Sequence, residues 1–329
     1  MTEHPLLEVK GLKVYYRTPI GTVKAVDDVE FKVKRNEIFG IAGESGCGKS
    51  TLATALLRLN KPPCYIVSGK ILFDGVNLLD LDEEELRRVR WKDLSIIPQA
   101  SMNALNPCMR IGDQIIDAIT AHENTTKEEA KERVRDLLRS VGLSEDVARM
   151  YPHELSGGMK QRAIIAMSIA LKPKLLIADE PTTALDVNVQ RVVLQTLVDV
   201  KQMMGASLMI ITHNMAVLAE VVDRLAIMYA GKIVEIGDVY DLFKDPLHPY
   251  SKGLISALPS IEKKKRIRGI PGYPPNLLDP PTGCRFYPRC PLRKKLKKSD
   301  KDKCKLEEPT LREVEPGRLV ACHFAHAGA

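Results

Sequence analysis

Eight residues, Gly43-Glu44-Ser45-Gly46-Cys47-Gly48-Lys49-Ser50, have the spacing G-x-x-x-x-G-K-S. Glycines at these places let backbone N–H groups wrap an anion, and the start of a following helix adds partial positive charge. The chemistry this suits is the binding of a nucleoside triphosphate. Lys49 would reach the β- and γ-phosphates, and the Ser50 hydroxyl would take a place on Mg²⁺. The apolar run Leu175-Leu176-Ile177-Ala178 ends in Asp179-Glu180 and Pro181. There Asp179 would hold Mg²⁺ through water, and Glu180 would polarise the attacking water as general base. The segment Leu155-Ser156-Gly157-Gly158-Met159-Lys160-Gln161 offers a hydroxyl and unshielded backbone amides ahead of a helix, which is a second anion-binding turn.

Such residues need elements to hold them. Leu7, Val9, Leu12, Val14 and Tyr16 alternate in strand fashion, with a turn at Ile20-Gly21. Ile38-Phe39-Gly40-Ile41-Ala42 reads as a short apolar strand entering the glycine loop, and Thr51 to Leu59 as the helix leaving it. Residues 82–160 read as mostly helical. Lys127 to Val141 places Ala130, Val134, Leu137, Leu138 and Val141 on one face, and Gly142 ends the helix. Leu175 to Ala178 and Leu208 to Thr212 are apolar runs of the buried parallel type, separated by a helical Val187 to Met204. The alternation argues for an α/β core with a helical insert.

In their order along the chain, the glycine loop, the Ser-Gly-Gly turn and the acidic strand end resemble the ATP-binding cassette (ABC) ATPases over residues 6–250. Met159 stands where that family most often has Gln. The resemblance implies a P-loop core with an antiparallel β subdomain and the helical insert. It implies ATP and Mg²⁺ as ligands, with Gly43 through Ser50 and Thr51 as nucleotide contacts. Gln99, in Ile96-Ile97-Pro98-Gln99, is similar to the glutamine that touches Mg²⁺ or the water and couples to the membrane partner. His213, after Ile210-Ile211-Thr212, resembles the histidine that bonds the γ-phosphate. Ala184-Leu185-Asp186 resembles the loop that crosses the dimer interface. Tyr16 resembles the aromatic residue on which adenine stacks, with Tyr15 on the opposite strand face as the competing choice. Ser156, Gly157 and Gly158 would close over the ATP bound to an opposite subunit, so one cassette is an incomplete enzyme.

Beyond residue 255 the texture changes. Nine of the 21 prolines follow Ile270, and residues 261–329 hold 17 Lys/Arg against 8 Asp/Glu. Pro271-Gly272-Tyr273-Pro274-Pro275 and Pro280-Pro281 can form neither a helix nor a central strand. Asp245-Pro246-Leu247-His248-Pro249-Tyr250, Gly269-Ile270-Pro271-Gly272 and Gly283-Cys284-Arg285-Phe286-Tyr287-Pro288-Arg289-Cys290-Pro291 are similar to the C-terminal extension of ATPase subunits from oligopeptide and dipeptide importers. That group also includes nickel and oligosaccharide transporters. The chain then divides into a nucleotide-binding domain, 1–255, with its insert at about 100–160, and the extension, 256–329.

Cys284, Cys290, Cys304 and Cys322 crowd into this tail as C-x5-C-x13-C-x17-C, which is not the paired C-x2-C of zinc ribbons. Four thiolates can hold zinc or an iron–sulfur cluster, or stay unligated. The resemblance implies a [4Fe–4S] cluster, with His323 and His326 as spare ligands. No stretch of about 18 apolar residues exists to span a bilayer. The resemblance therefore implies a peripheral subunit at the cytoplasmic face. Its expected partners are a second, similar ATPase with which it forms a heterodimer, two membrane permeases and an extracytoplasmic solute-binding protein. The basic tail admits one rival, an ABC-type ATPase acting on nucleic acid or ribosomes. Such proteins usually carry two cassettes or a long coiled-coil insert, which this chain lacks, so no nucleic acid is expected.

Overall fold

The computed structural model describes residues 4–99, 101–258 and 269–325. Contacts divide the chain into two compact units, each drawn from several stretches. One comprises Met1–Leu6, Val33–Ile38 and Asn77–Ile211; the other comprises Leu7–Lys32, Phe39–Val76 and Thr212–Ala329.

In the first unit the strands Leu94–Ile97, Leu175–Asp179 and Ser207–Thr212 lie side by side and parallel. The middle strand is buried along its whole length, which is why it reads as an unbroken apolar run. Its register sets Asp179 beside Ile211 and Ala178 beside Ile97 and Ile210. Helix Val187–Met204 follows, capped by the Asp186 carboxylate, which accepts from the Asn188 and Val189 amides, and stopped by Gly205 in the left-handed region.

The insert is less uniformly helical than its sequence suggests. It holds helices Ile111–Thr120, Lys127–Ser140 and Gly157–Ser168, with two 3₁₀ turns between the last two. Helix Lys127–Ser140 starts on a capping box of Thr126 and Glu129 and buries Ala130, Val134 and Leu138. Leu137 is only partly covered, and Gly142, with φ +69°, turns the chain away.

The second unit has two sheets. In the first, four strands run in the order Gly21–Val33, Leu7–Thr18, Cys64–Phe73, Val76–Asn77. The second places Ile38–Ala42 parallel to Arg224–Tyr229, which pairs antiparallel with Lys232–Asp238. The tail extends this same sheet: Arg318–Val320 pairs with Lys232–Asp238, setting Val320 opposite Glu235, and Arg312–Glu315 adds the edge. A helix, Lys298–Leu306, also forms there. The contact division thus does not follow the change of texture at residue 255, because the tail shares a unit with the glycine loop.

Candidate functional site

Strand Ile38–Ala42 delivers the chain to the glycine loop, and helix Lys49–Leu56 leads it away. The loop has no room for side chains at two of its glycines. A Cβ on Gly43 would stand 2.1 Å from the Met228 carbonyl oxygen, and one on Gly48 would stand 2.0 Å from that of Ala25. Gly46 and Gly48 take φ of +79° and +105°, a region that costs other residues strain. Lys49 is buried, and its Nζ donates to the Gly43 carbonyl at 2.7 Å and the Glu44 carbonyl at 3.0 Å. The ammonium thus lies inside the curve of the loop, where phosphate oxygens would compete for it. Ser45 and Gly46 form the exposed tip, Ser50 and Thr51 are half-buried on the helix, and Cys47 points inward. Burial pushes the Cys47 thiol up, with the Lys49 charge opposing.

The two tyrosines part ways. Tyr15 donates to Asp27 at 2.6 Å, and Asp27 is also paired with Arg285. The Tyr16 hydroxyl lies 3.0 Å from the Thr51 hydroxyl, at the start of the loop's own helix. Tyr16 is the one brought to the loop.

In the other unit Asp179 is buried at the end of its strand. Glu180 follows with φ +51°, unusual for a residue with a side chain, while its amide donates to the Ile211 carbonyl at 2.8 Å. Its carboxylate accepts from the Thr183 hydroxyl at 2.8 Å. Gln99 is exposed just past strand Leu94–Ile97; His213, which falls in the glycine loop's unit, is exposed just past Ser207–Thr212. Ser156 caps helix Gly157–Ser168 by accepting from the Met159 amide at 3.3 Å. Gly158 is packed so closely that a Cβ would meet the Val189 side chain at 2.5 Å.

Sequence reasoning missed three residues of the tail. Arg285, Arg289 and Arg318 are all buried, and each reaches a carboxylate far off in the chain. Arg285 pairs with Asp27, Arg289 with Glu44 and Arg318 with Glu235. Lys232 joins Arg285 at Asp27. Burial raises the Asp27 carboxyl, but the Tyr15 hydroxyl and the two cations hold it below its usual value. The one legible signal was two arginines among the aromatics and prolines of the Cys284 to Cys290 segment.

The four tail cysteines and His323 line one small cavity with Phe286, Leu292 and Phe324. Burial, reinforced by the neighbouring cysteines, pushes the Cys284 thiol up to about 12 and the Cys322 thiol up to about 11. Cys290 and Cys304 are raised too, chiefly by burial. Among the described residues no three His, Cys, Asp or Glu side chains are arranged to hold a single metal ion. His326 lies outside the described residues. Among those residues, no helix is long and apolar enough to cross a membrane.

The profile of the ABC transporter family matches residues 26–183, and that of the oligopeptide/dipeptide transporter C-terminal region matches residues 234–296. The dipeptide transport ATP-binding protein DppD of Caldanaerobacter subterraneus subsp. tengcongensis is 40% identical over 326 residues, covering 98% of each chain. The oligopeptide transport ATP-binding protein OppD of Escherichia coli (strain K12) is 44% identical over 320 residues, covering 96% of this chain and 92% of that one. Among solved structures, a dimeric ATP-binding cassette in a post-hydrolysis state, bound to ADP and Pi, is similar with a TM-score of 0.64 and 26% identity. It covers 71% of this chain and 98% of its own.

Proposed function

Because the chain belongs to the ATP-binding subunits of ABC transporters, in their oligopeptide/dipeptide branch, we propose that it hydrolyses ATP to energise the import of di- or oligopeptides. The observation that carries the chemistry is the glycine loop closed on a buried lysine. Lys49 would exchange its two carbonyl partners for β- and γ-phosphate oxygens, while loop amides beyond Glu44 and the helix start would face the same anion. Adenine would stack on Tyr16. Ser50, Gln99 and Asp179 would hold Mg²⁺, which neutralises charge developing on the phosphates. Glu180 would take a proton from the attacking water, and His213 would orient the γ-phosphate.

Ser156, Gly157 and Gly158 would meet the ATP of a partner cassette, with Asp186 at the shared interface. We take the working assembly to be two such ATPases, two permeases and an extracytoplasmic binding protein, with this subunit at the cytoplasmic face. Residues 1–255 form the nucleotide-binding part, the insert at 100–160 meets the permease, and 256–329 form the extension. Within that extension, Cys284, Cys290, Cys304 and Cys322 suit a [4Fe–4S] cluster. A zinc ion needs all its ligands around one point, at about 2.3 Å for sulfur, whereas a cluster spreads four thiolates over four irons. What supports the reading is that all four cysteines line one small cavity of the extension. Bound there, the cluster would supply cross-linking for a proline-rich segment. Iron and sulfide analysis of anaerobically purified protein decides it, since stoichiometric zinc would overturn the choice.

Glu180→Gln tests the catalytic reading. Turnover should fall by about 10²–10⁴-fold while ATP is still bound and a closed dimer accumulates on size-exclusion chromatography. Normal steady-state hydrolysis would refute it.

A further inference from the structure

Glu44 is held from three directions. Its carboxylate accepts two bonds from Arg289, at 2.8 and 3.0 Å, in the paired geometry a guanidinium offers. Its N–H donates to the Tyr250 hydroxyl oxygen at 3.0 Å. Its carbonyl accepts from Lys49 Nζ at 3.0 Å. One residue of the glycine loop therefore joins the tail to the ammonium that meets phosphate.

Both anchors are themselves fixed. Arg289 donates to the carbonyls of Pro271 and Ile270, at 3.1 and 3.3 Å, and to the Tyr229 hydroxyl at 3.3 Å. Tyr250 is fully buried, with its ring 4.5 Å from Tyr229 and 5.4 Å from Phe286, centroid to centroid. Rigid supports of this kind set geometry better than exposed pairs, which lose entropy and are screened.

We propose that Arg289 and Tyr250 are positioning residues of the ATP site: by fixing Glu44 they hold the glycine loop in its anion-wrapping shape, so nucleotide affinity depends on the C-terminal extension. The proposal rests on the loop being the ATP site. Neither residue touches the reacting atoms, so loss of the clamp weakens binding more than turnover.

A chemical probe reads the loop without nucleotide. Cys47 is buried beneath it, Cys64 is buried in the antiparallel sheet, and Cys108 is exposed. Mass spectrometry after timed N-ethylmaleimide labelling follows each thiol separately. In Arg289→Met and in Glu44→Ala, Cys47 should label at least about tenfold faster while Cys64 keeps its rate. In steady-state kinetics KM for ATP should rise about tenfold with kcat within about twofold, which is the pattern of lost uniform binding. The double variant should be no worse than either single one, because the two residues act as one pair. Glu44→Ala leaves the bonds of Arg289 to the tail in place, so it decides the matter if Arg289→Met does not fold. Unchanged Cys47 labelling in both variants overturns the proposal, as does acceleration of Cys47 and Cys64 together, or an additive double variant. If the wild-type protein binds no ATP, the reading of the loop has failed, and Cys47 labelling still judges the clamp.

Discussion

Glu180, which we propose as the general base, is also a strained backbone position. Its φ of +51° lies in the left-handed region, where a Cβ costs about 1–2 kcal/mol. Strain of this kind persists where the surroundings impose it, and it clusters at sites that need a side chain aimed in one direction. A glycine here would relieve the clash but would add freedom to the unfolded chain, worth about 0.4–1 kcal/mol in the other direction. Alanine keeps the clash. Glu180→Gly should therefore match or exceed Glu180→Ala in stability, by up to about 1 kcal/mol in urea unfolding, and neither should turn over ATP. If the alanine variant proved the more stable, the strain at this position would not be real.

At the scale of elements, helix Gly157–Ser168 and helix Val187–Met204 approach through Gly158. A Cβ there would stand 2.5 Å from Val189 Cγ1, so the contact tolerates only hydrogen. Gly158→Ala should cost about 1–3 kcal/mol by overpacking. Adding Val189→Ala, which removes the clashing methyl, should recover most of that loss in chemical denaturation. A single variant as stable as the wild type would mean that the helices are not so close.

The same pair shows what was legible in the sequence. Helix Val187–Met204 was readable to both ends, since Asp186 caps it and Gly205 stops it. The buried strand Leu175–Asp179 and the glycine loop announced themselves by composition and spacing. Helix Ile111–Thr120 and the turns of the insert were submerged in a region that reads as broadly helical. The grip of Arg289 on Glu44 was not legible at all. The two stand 245 positions apart, and nothing local marks which carboxylate a buried guanidinium will find.

At the scale of the molecule, three tail arginines complete one half of the protein. Arg285, Arg289 and Arg318 each neutralise a carboxylate of the preceding chain: Asp27, Glu44 and Glu235. Glu235 is fully buried and also accepts from the Leu247 and His248 amides, at 2.8 and 2.9 Å. Removing one partner of such a pair costs about 3–5 kcal/mol, since the other charge stays buried. A whole domain has only about 5–15 kcal/mol to lose. Truncation would also strip Arg318–Val320 from Lys232–Asp238, leaving an open sheet edge, and would uncover the Phe286 side of Tyr229 and Tyr250. A fragment of residues 1–258 should therefore aggregate or melt without a cooperative transition. Arginine-to-methionine substitutions made one at a time in the full chain separate the two contributions, because each removes one charge and keeps the strand. They should lower the melting temperature while leaving the protein soluble. A fragment that stays soluble, unfolds cooperatively and binds ATP as tightly as the full chain would show that the extension is an independent appendage, as its composition alone suggests.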